Sequence, residues 1–466
     1  MDFSKYSHIF MLGIGGIGMS GLARYFRHTG KPVAGYDRTR TRLTDDLENE
    51  GIAVIFTDDP AAFVPDEISP EKVLVIYTPA IQRDNRLFLF FAENNYTMVK
   101  RAQVLGAIAS QYRTIAVAGT HGKTSTSTLI AHILNESKTG CTALLGGISK
   151  NHQTNFLFSE DSPFLVTEAD EFDRSFLQLN PFMAAITAVD ADHLDIYGSH
   201  EELLKTYAAF AKQVEPGGLL LVKKGIELIL PELEIKNLYS YAFNNPSADI
   251  YASHIDTDEH KMRFDLNTPQ TVLHDLTMLP IGLMNIENAV AATFLALQAG
   301  VDETVIRTAL AGFNGVRRRF DVRFNNGKLI YIDDYAHHPE EINALLKAVK
   351  TMFPSKKITG IFQPHLYSRT RDFADEFAQS LEQLDEVILT GIYPAREKPI
   401  EGVSSELILS KIRHDHKWLM TREQIPNHLL QHDFEVLLTI GAGNIDALAD
   451  PLLQMLYQKT SQQEIP

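Results

Sequence analysis

Apolar and polar positions along the chain alternate in blocks with a strand–helix–strand rhythm. Residues 8–13 and 32–37 read as buried strands, 18–28 as a helix between them, and 73–78 as a later strand of the same sheet. A second such unit starts with a strand over 114–119, turns at a glycine-bracketed loop, and enters a helix from 123 to about 136. Buried strands follow over 163–168, 183–189 and 218–222. The alternation over 248–266, interrupted by a polar turn at 256–260, predicts an antiparallel addition to this middle region. A helical period over 285–300 stops at Gly300. A third region opens near Gly315 with a hairpin turning at Asn325-Asn326-Gly327 and a strand over 329–332. It continues as helix 339–352, strand 358–362, helix 371–384, strands 386–392 and 434–440, and a last helix. The pattern predicts an α/β protein of three domains in series, over 1–107, 108–313 and 314–466.

Composition narrows the class. In 466 residues, 44% are hydrophobic and 22% charged, which excludes disordered and low-complexity chains. Lys and Arg number 43 against 59 Asp and Glu, a net charge of −16 that argues against coating nucleic acid or anionic lipid. Anionic ligands must therefore be met by local positive clusters. The single cysteine, Cys141, excludes an intramolecular disulfide and a multi-cysteine zinc site. No run of about 18 apolar residues occurs, and the first residues lack a secretory apolar core, so a soluble, cytoplasmic protein is expected.

Several strings carry chemistry. Gly13, Gly15, Gly16 and Gly18 form a G-x-G-x-x-G at a strand-to-helix turn, where backbone amides approach a diphosphate, and Asp37 ends the next strand. Alone, that pattern suits NAD as well as any other diphosphate, or a plain tight turn. Gly119-Thr120-His121-Gly122-Lys123-Thr124, followed by Ser125, is a shortened phosphate loop: its amides cradle phosphates, Lys123 reaches the β and γ groups, and Thr124 can ligate Mg²⁺. Glu168, Asp170, Glu171 and Asp173 follow one buried strand and Asp190, Asp192, His193 and Asp195 another, where carboxylates can converge on Mg²⁺ or simply be solvated loop acids. Arg317-Arg318-Arg319 and Asp333-Asp334-Tyr335-Ala336-His337-His338 lie in the third region, and Phe362-Gln363-Pro364-His365 precedes Arg369 and Arg371. Two phosphate loops on one acidic chain fit an ATP-dependent ligase better than a dehydrogenase or a simple ATPase.

Together these strings resemble the Mur ligase family over the whole chain: GIGGIGMSGLA at 13–23, GTHGKTST at 119–126, EADEFDRSF at 168–176, ADHLD at 191–195, RRRFD at 317–321, DDYAHHP at 333–339, FQPH at 362–365 and EKPIEG at 397–402. The resemblance implies an N-terminal Rossmann-like domain binding a UDP-sugar, a central P-loop-type ATPase domain, and a C-terminal Rossmann-like domain. It implies ATP-dependent joining of L-alanine to the lactyl carboxylate of UDP-N-acetylmuramate through an acyl phosphate, in peptidoglycan precursor synthesis. The alternatives are a member that adds a murein tripeptide to the same sugar nucleotide and, more remotely, an NAD-dependent oxidoreductase.

The resemblance also implies roles. Gly119, Thr120, Gly122, Lys123, Thr124 and Ser125 would bind ATP, with Asn285, Asn288, Arg319 and Asp334. Thr124, Glu168 and His193 would hold Mg²⁺, two ions in all. Gly13, Gly15, Gly16, Gly18, Ser20, Asp37 and His121 would bind the UDP-sugar. Tyr335, His338 and Arg369 would lie near the amino acid, with His338 also a candidate to deprotonate its amine. Ala336 and Leu366 depart from the pattern, standing where alanine-adding members usually carry glycine and arginine. No lysine is assigned to bridge the metals, Lys205 lying too close to His193 in sequence. No nucleic-acid or membrane partner is implied, and the expected state is a monomer or weak homodimer.

Overall fold

The structure, a computed structural model, describes residues 1–62, 69–190, 194–230, 235–257, 261–279, 282, 284–395 and 397–463. The described chain divides into two compact units, one formed by residues 1–256, 261–279 and 285–314 and the other mainly by 315–466.

The first unit holds two sheets. The first has five parallel strands in the order Ala53–Ile55, Val33–Tyr36, His8–Leu12, Val73–Tyr77, Thr97–Lys100. The chain builds outward on one side of His8–Leu12 and then crosses to the other, which makes the carboxyl end of that strand a switch point where such sheets receive ligands. The glycines at 13–18 leave from there. Helix Ile17–His28 follows and buries Met19, Leu22, Ala23 and Phe26, the stripe that a 3.6-residue period puts on one face. Helix Arg42–Asn49 opens with a reciprocal cap: the Thr44 amide donates to the Thr41 hydroxyl at 3.3 Å and the Thr41 amide to the Thr44 hydroxyl at 2.8 Å. The sequence pattern does not predict the edge strands Ala53–Ile55 and Thr97–Lys100, because three or four half-exposed residues carry too little alternation.

The second sheet has ten strands, with Arg113–Ala118 between Phe164–Ala169 and Met183–Ile186, all parallel. The strand expected to reach 189 stops at Ile186, since Thr187 turns its hydroxyl back to the carbonyls of Ala118 and His121. At the far edge Ile250–Thr257, Met262–Asn267 and Val272–Met278 lie side by side, the last two antiparallel. The antiparallel addition expected over 248–266 thus gains a third strand, and part of its expected turn, 258–260, lies outside the described residues.

The second unit is a six-stranded sheet in the order Asp321–Asn325, Ile330–Asp334, Val436–Ile440, Ile358–Phe362, Glu386–Leu389, Lys417–Leu419, antiparallel only at the first pair. Its hairpin turn is held by the Gly327 amide donating to Asn325 Oδ1 at 2.9 Å. The helix expected over 371–384 is two pieces, Tyr367–Asp372 and Ala374–Leu381. Phe373 breaks it with φ −120° and ψ 23° so that its neighbours Ala374, Phe377 and Leu381 face the core. Among the described residues no helix is long and apolar enough to cross a membrane.

Candidate active site

In the first unit the phosphate-type loop sits at the carboxyl end of Arg113–Ala118 and leads into helix Lys123–Asn135. Gly119 has φ +134°, and a Cβ there would come within 2.2 Å of Thr187 Oγ1, so only glycine lets the loop pass the neighbouring strand end. The loop is tied down by Thr120, whose amide donates to the Ala188 carbonyl at 3.1 Å and whose hydroxyl accepts from the Asp190 amide at 3.2 Å. His121 Nε2 lies 3.7 Å from Asp190 Oδ2. Gly122 caps the helix, Thr124 is buried in its first turn and Ser125 is half-buried. Asn285 and Asn288, on helix Met284–Gln298, reach the same helix: Asn288 donates to Asn285 Oδ1 at 3.1 Å and accepts from the Thr126 hydroxyl at 3.2 Å.

The Lys123 ammonium donates to the Gly119 carbonyl at 2.5 Å and to Glu171 Oε1 and Oε2 at 2.7 and 2.9 Å. Burial acts to lower its pKa, but the surrounding carboxylates, Glu171 foremost, outweigh that and raise it, so the lysine is a fixed cation. Glu168, at the end of Phe164–Ala169, accepts the Gly146 amide at 2.9 Å. A Cβ on Gly146 would lie within 2.3 Å of that carboxylate, which is why glycine stands there. His193 and Asp192 lie outside the described residues. In the sequence Glu171 is only one of a string of acids. Its engagement of Lys123 depends on the turn after the strand, which positive φ at Asp173 and Arg174 shapes.

At the first glycine loop the Gly15 amide donates to Asp37 Oδ2 at 2.8 Å, so Asp37 fastens the loop to the next strand. Gly13 packs on Thr78 and Gly16 caps helix Ile17–His28. Gly18 faces Arg101, whose Nη2 is 3.4 Å from Asp170 Oδ2. Arg101 thereby stands between the first glycine loop and the acidic string, and nothing in the sequence marks it. Ser20 is fully buried, donating to the Ile17 carbonyl at 2.9 Å and accepting from Asn155 at 3.1 Å. The structure therefore gathers Gly13–Gly18 with Asp37 at one sheet end, and Lys123, Glu168, Asn285 and Asn288 around the other loop.

In the second unit Asp334 ends its strand and accepts the Phe320 amide at 2.7 Å and the Ala336 amide at 2.8 Å. Burial raises its pKa in spite of these amides. Tyr335 lies under both guanidinium groups, Arg318 and Arg319 each 5.0 Å from its ring centre. Glu341 accepts the amides of His337 and His338 at 2.8 and 3.1 Å and sits 3.1 Å from His337 Nδ1. Burial opposes its ionisation, yet His337 beside it holds the carboxyl well below the usual range. The His338 ring meets Phe373 at 4.8 Å. Arg369, on helix Tyr367–Asp372, has its Nη1 buried with no hydrogen-bond partner among the described residues. Leu366, which precedes that helix, adopts φ +71°, unusual for a branched side chain.

Three family models match the chain in order. Residues 8–113 match the model described as Mur ligase family, catalytic domain, 117–296 the Mur ligase middle domain, and 318–443 the Mur ligase glutamate ligase domain. A UDP-N-acetylmuramate--L-alanine ligase of Phocaeicola vulgatus is 44% identical over 98% of this chain and 100% of its own length. One of Porphyromonas gingivalis is 45% identical over 96% and 98%. The crystal structure of a UDP-N-acetylmuramate-alanine ligase from Thermotoga maritima superposes with a TM-score of 0.81 at 25% identity, covering 97% of this chain and 99% of that one. A murein peptide ligase from Psychrobacter arcticus, 22% identical, shares the fold with a TM-score of 0.70 over 97% and 98%. With three models of one family matched in order and relatives at this identity along nearly the full length, the chain belongs to the Mur ligase family.

Proposed function

We propose that this protein is an ATP-dependent ligase that joins L-alanine to the lactyl carboxylate of UDP-N-acetylmuramate, in the cytoplasm, as a monomer or weak homodimer. The observation that carries the reading is the Lys123 ammonium, fixed at a glycine turn against Glu171 and beside the strand bearing Glu168, in a chain 44% identical to a ligase of that name. The first domain, 1–107, takes the UDP-sugar, the N-terminus of helix Ile17–His28 meeting the diphosphate; Asp37 and the Tyr36 carbonyl hold the glycine turn at 13–16 that opens the helix, Ser20 braces its first turn from within, and His121 adds support from the second domain. The second, 108–313, takes ATP on residues 119–125 with Asn285 and Asn288, and the third, 314–466, contributes Arg319 and Asp334 to the nucleotide and Tyr335, His338 and Arg369 to the amino acid.

The oxygen donors at the phosphate loop suit Mg²⁺: a Thr124 hydroxyl in the first turn, and a Glu168 carboxylate held by Gly146 in a cradle that a Cβ would fill. Thr124, Glu168 and His193 would hold two such ions, which supply charge neutralisation on the transferred phosphoryl group. Lys123 offsets charge on the same group as the sugar's carboxylate attacks the γ-phosphate and ADP leaves. The amine of L-alanine then attacks the acyl phosphate and phosphate departs, His338 accepting a proton from the amine and Arg369 gripping the carboxylate. Phosphate release from ATP with UDP-N-acetylmuramate and L-alanine, D-glutamate or the murein tripeptide as acceptor tests the reading. L-Alanine alone should support turnover; a preference for the tripeptide would give the recycling activity instead.

A further inference from the structure

We infer that His132, Glu136 and His152 form a binding site for a transition metal of the zinc type, separate from the phosphate loop. His132 lies in the last turn of helix Lys123–Asn135 and Glu136 follows its end, so the i, i+4 spacing puts both on one face. His152 comes from the loop between Thr142–Leu144 and Phe156–Leu157. One ligand atom from each of the three lies within 4.8 Å of the other two, and among the described residues no other trio of His, Cys, Asp or Glu does so.

The hydrogen bonds orient one ligand in advance. His132 Nε2 is 3.1 Å from the Ala309 carbonyl, which can only accept, so Nε2 carries the proton and the Nδ1 lone pair faces His152 Nε2 at 3.3 Å. That is how metal-binding imidazoles are usually held, the outer nitrogen donating to a carbonyl while the inner one points at the ion. The Phe313 ring, 5.5 Å away, walls the inner side, and exposed Glu136 leaves a way in from solvent. Burial lowers the pKa of both histidines, which keeps the imidazoles neutral as ligands must be. Asn151 clamps the loop by donating to the Gly312 carbonyl at 2.7 Å and accepting the Asn314 amide at 2.9 Å.

Two imidazoles and one carboxylate with a fourth position open to water match Zn²⁺ or Co²⁺, not the all-oxygen sets of Mg²⁺ or Ca²⁺. At about 1.5 Å per residue, His132 is roughly 13 Å along the helix from Lys123, so the ion binds away from the nucleotide. A bound ion would tie the loop that ends in Asn155 to the helix that begins at Lys123.

Titration calorimetry with Zn²⁺, in excess Mg²⁺ and ADP to fill the nucleotide site, tests this on the full chain. The unaltered protein should bind one Zn²⁺, and His152→Gln and Glu136→Gln should each weaken that binding at least about tenfold while unfolding normally without zinc. Co²⁺ in place of Zn²⁺ should show intense visible absorption of low-coordinate cobalt, absent from His152→Gln. Equal zinc affinity in all three proteins, or no zinc binding by the unaltered protein, would overturn the assignment.

Discussion

Lys123 and Glu171 form a buried ion pair, Nζ lying 2.7 Å from a carboxylate that is 1% exposed. Phosphate loops hold their lysine ready for a phosphate, and here a carboxylate engages that lysine. Removing one partner of such a pair strands the other charge. Glu171→Gln should therefore lower unfolding stability without nucleotide by about 3 kcal/mol. Saturating ATP should restore much of that, because its phosphates take over the ammonium. Thermal melts of both proteins with and without ATP check this; equal losses in the two conditions would refute the exchange. Lys123→Ala should abolish turnover and spare UDP-sugar binding.

Arg369 presents a buried Nη1 without a partner among the described residues, on the short helix that follows Leu366. An unsatisfied guanidinium donor is costly unless a ligand completes it. Arg369→Ala should raise KM for L-alanine at least about tenfold, roughly 1.4 kcal/mol, with little change in KM for ATP. Arg369→Lys should recover part of the loss, since an ammonium cannot reproduce the fork. Steady-state kinetics with alanine varied decide it, and an unchanged KM would return Arg369 to a structural role.

Asp333 is 2% exposed, and burial pushes its carboxyl up to about 6, against the opposing pull of Arg318 and the Thr439 hydroxyl. The folded pKa exceeds the unfolded one, so the folded state binds this proton more tightly. Its contribution to stability is whole below about pH 4 and is lost as pH rises through about 6. Asp333→Asn, always neutral, should gain stability relative to the unaltered protein by up to about 3 kcal/mol between pH 4 and pH 7. Urea unfolding of both across that range measures the difference. A constant gap would mean that Asp333 keeps its proton, or its charge, throughout.

Asn155 is wholly buried where helix Ile17–His28 meets strand Phe156–Leu157. It donates to the Ile17 carbonyl at 2.7 Å and to Ser20 Oγ, and accepts from Arg24, itself paired with Glu50 at 2.6 Å. Asn155→Ala leaves a buried arginine N–H unsatisfied, while the Ile17 carbonyl keeps the Ser20 hydroxyl, and should cost about 1–3 kcal/mol by chemical denaturation. A neutral effect would show that water replaces the amide.

Periodic, strongly apolar segments are legible in the sequence. The strands around 8–12, 73–77, 113–118 and 358–362, the helices at 17–28 and 339–352, and both glycine loops stand out because each announces itself within about a dozen residues. Short edges such as Ala53–Ile55 and the break at Phe373 do not, since their conformation answers to neighbours distant in sequence.

For the candidate site, residue order alone determined which strand ends carry glycine turns, a lysine and carboxylates, because local backbone geometry and charge type are written in adjacent residues. Tertiary packing decided which charges meet. Glu171 rather than Glu168 holds Lys123, Asp37 fastens Gly15, and Asn155 reaches Arg24 from 131 positions away. Those pairings depend on how strands stack and where turns point side chains, and Coulomb attraction and hydrogen bonding act over a few ångströms of space whatever the separation along the chain.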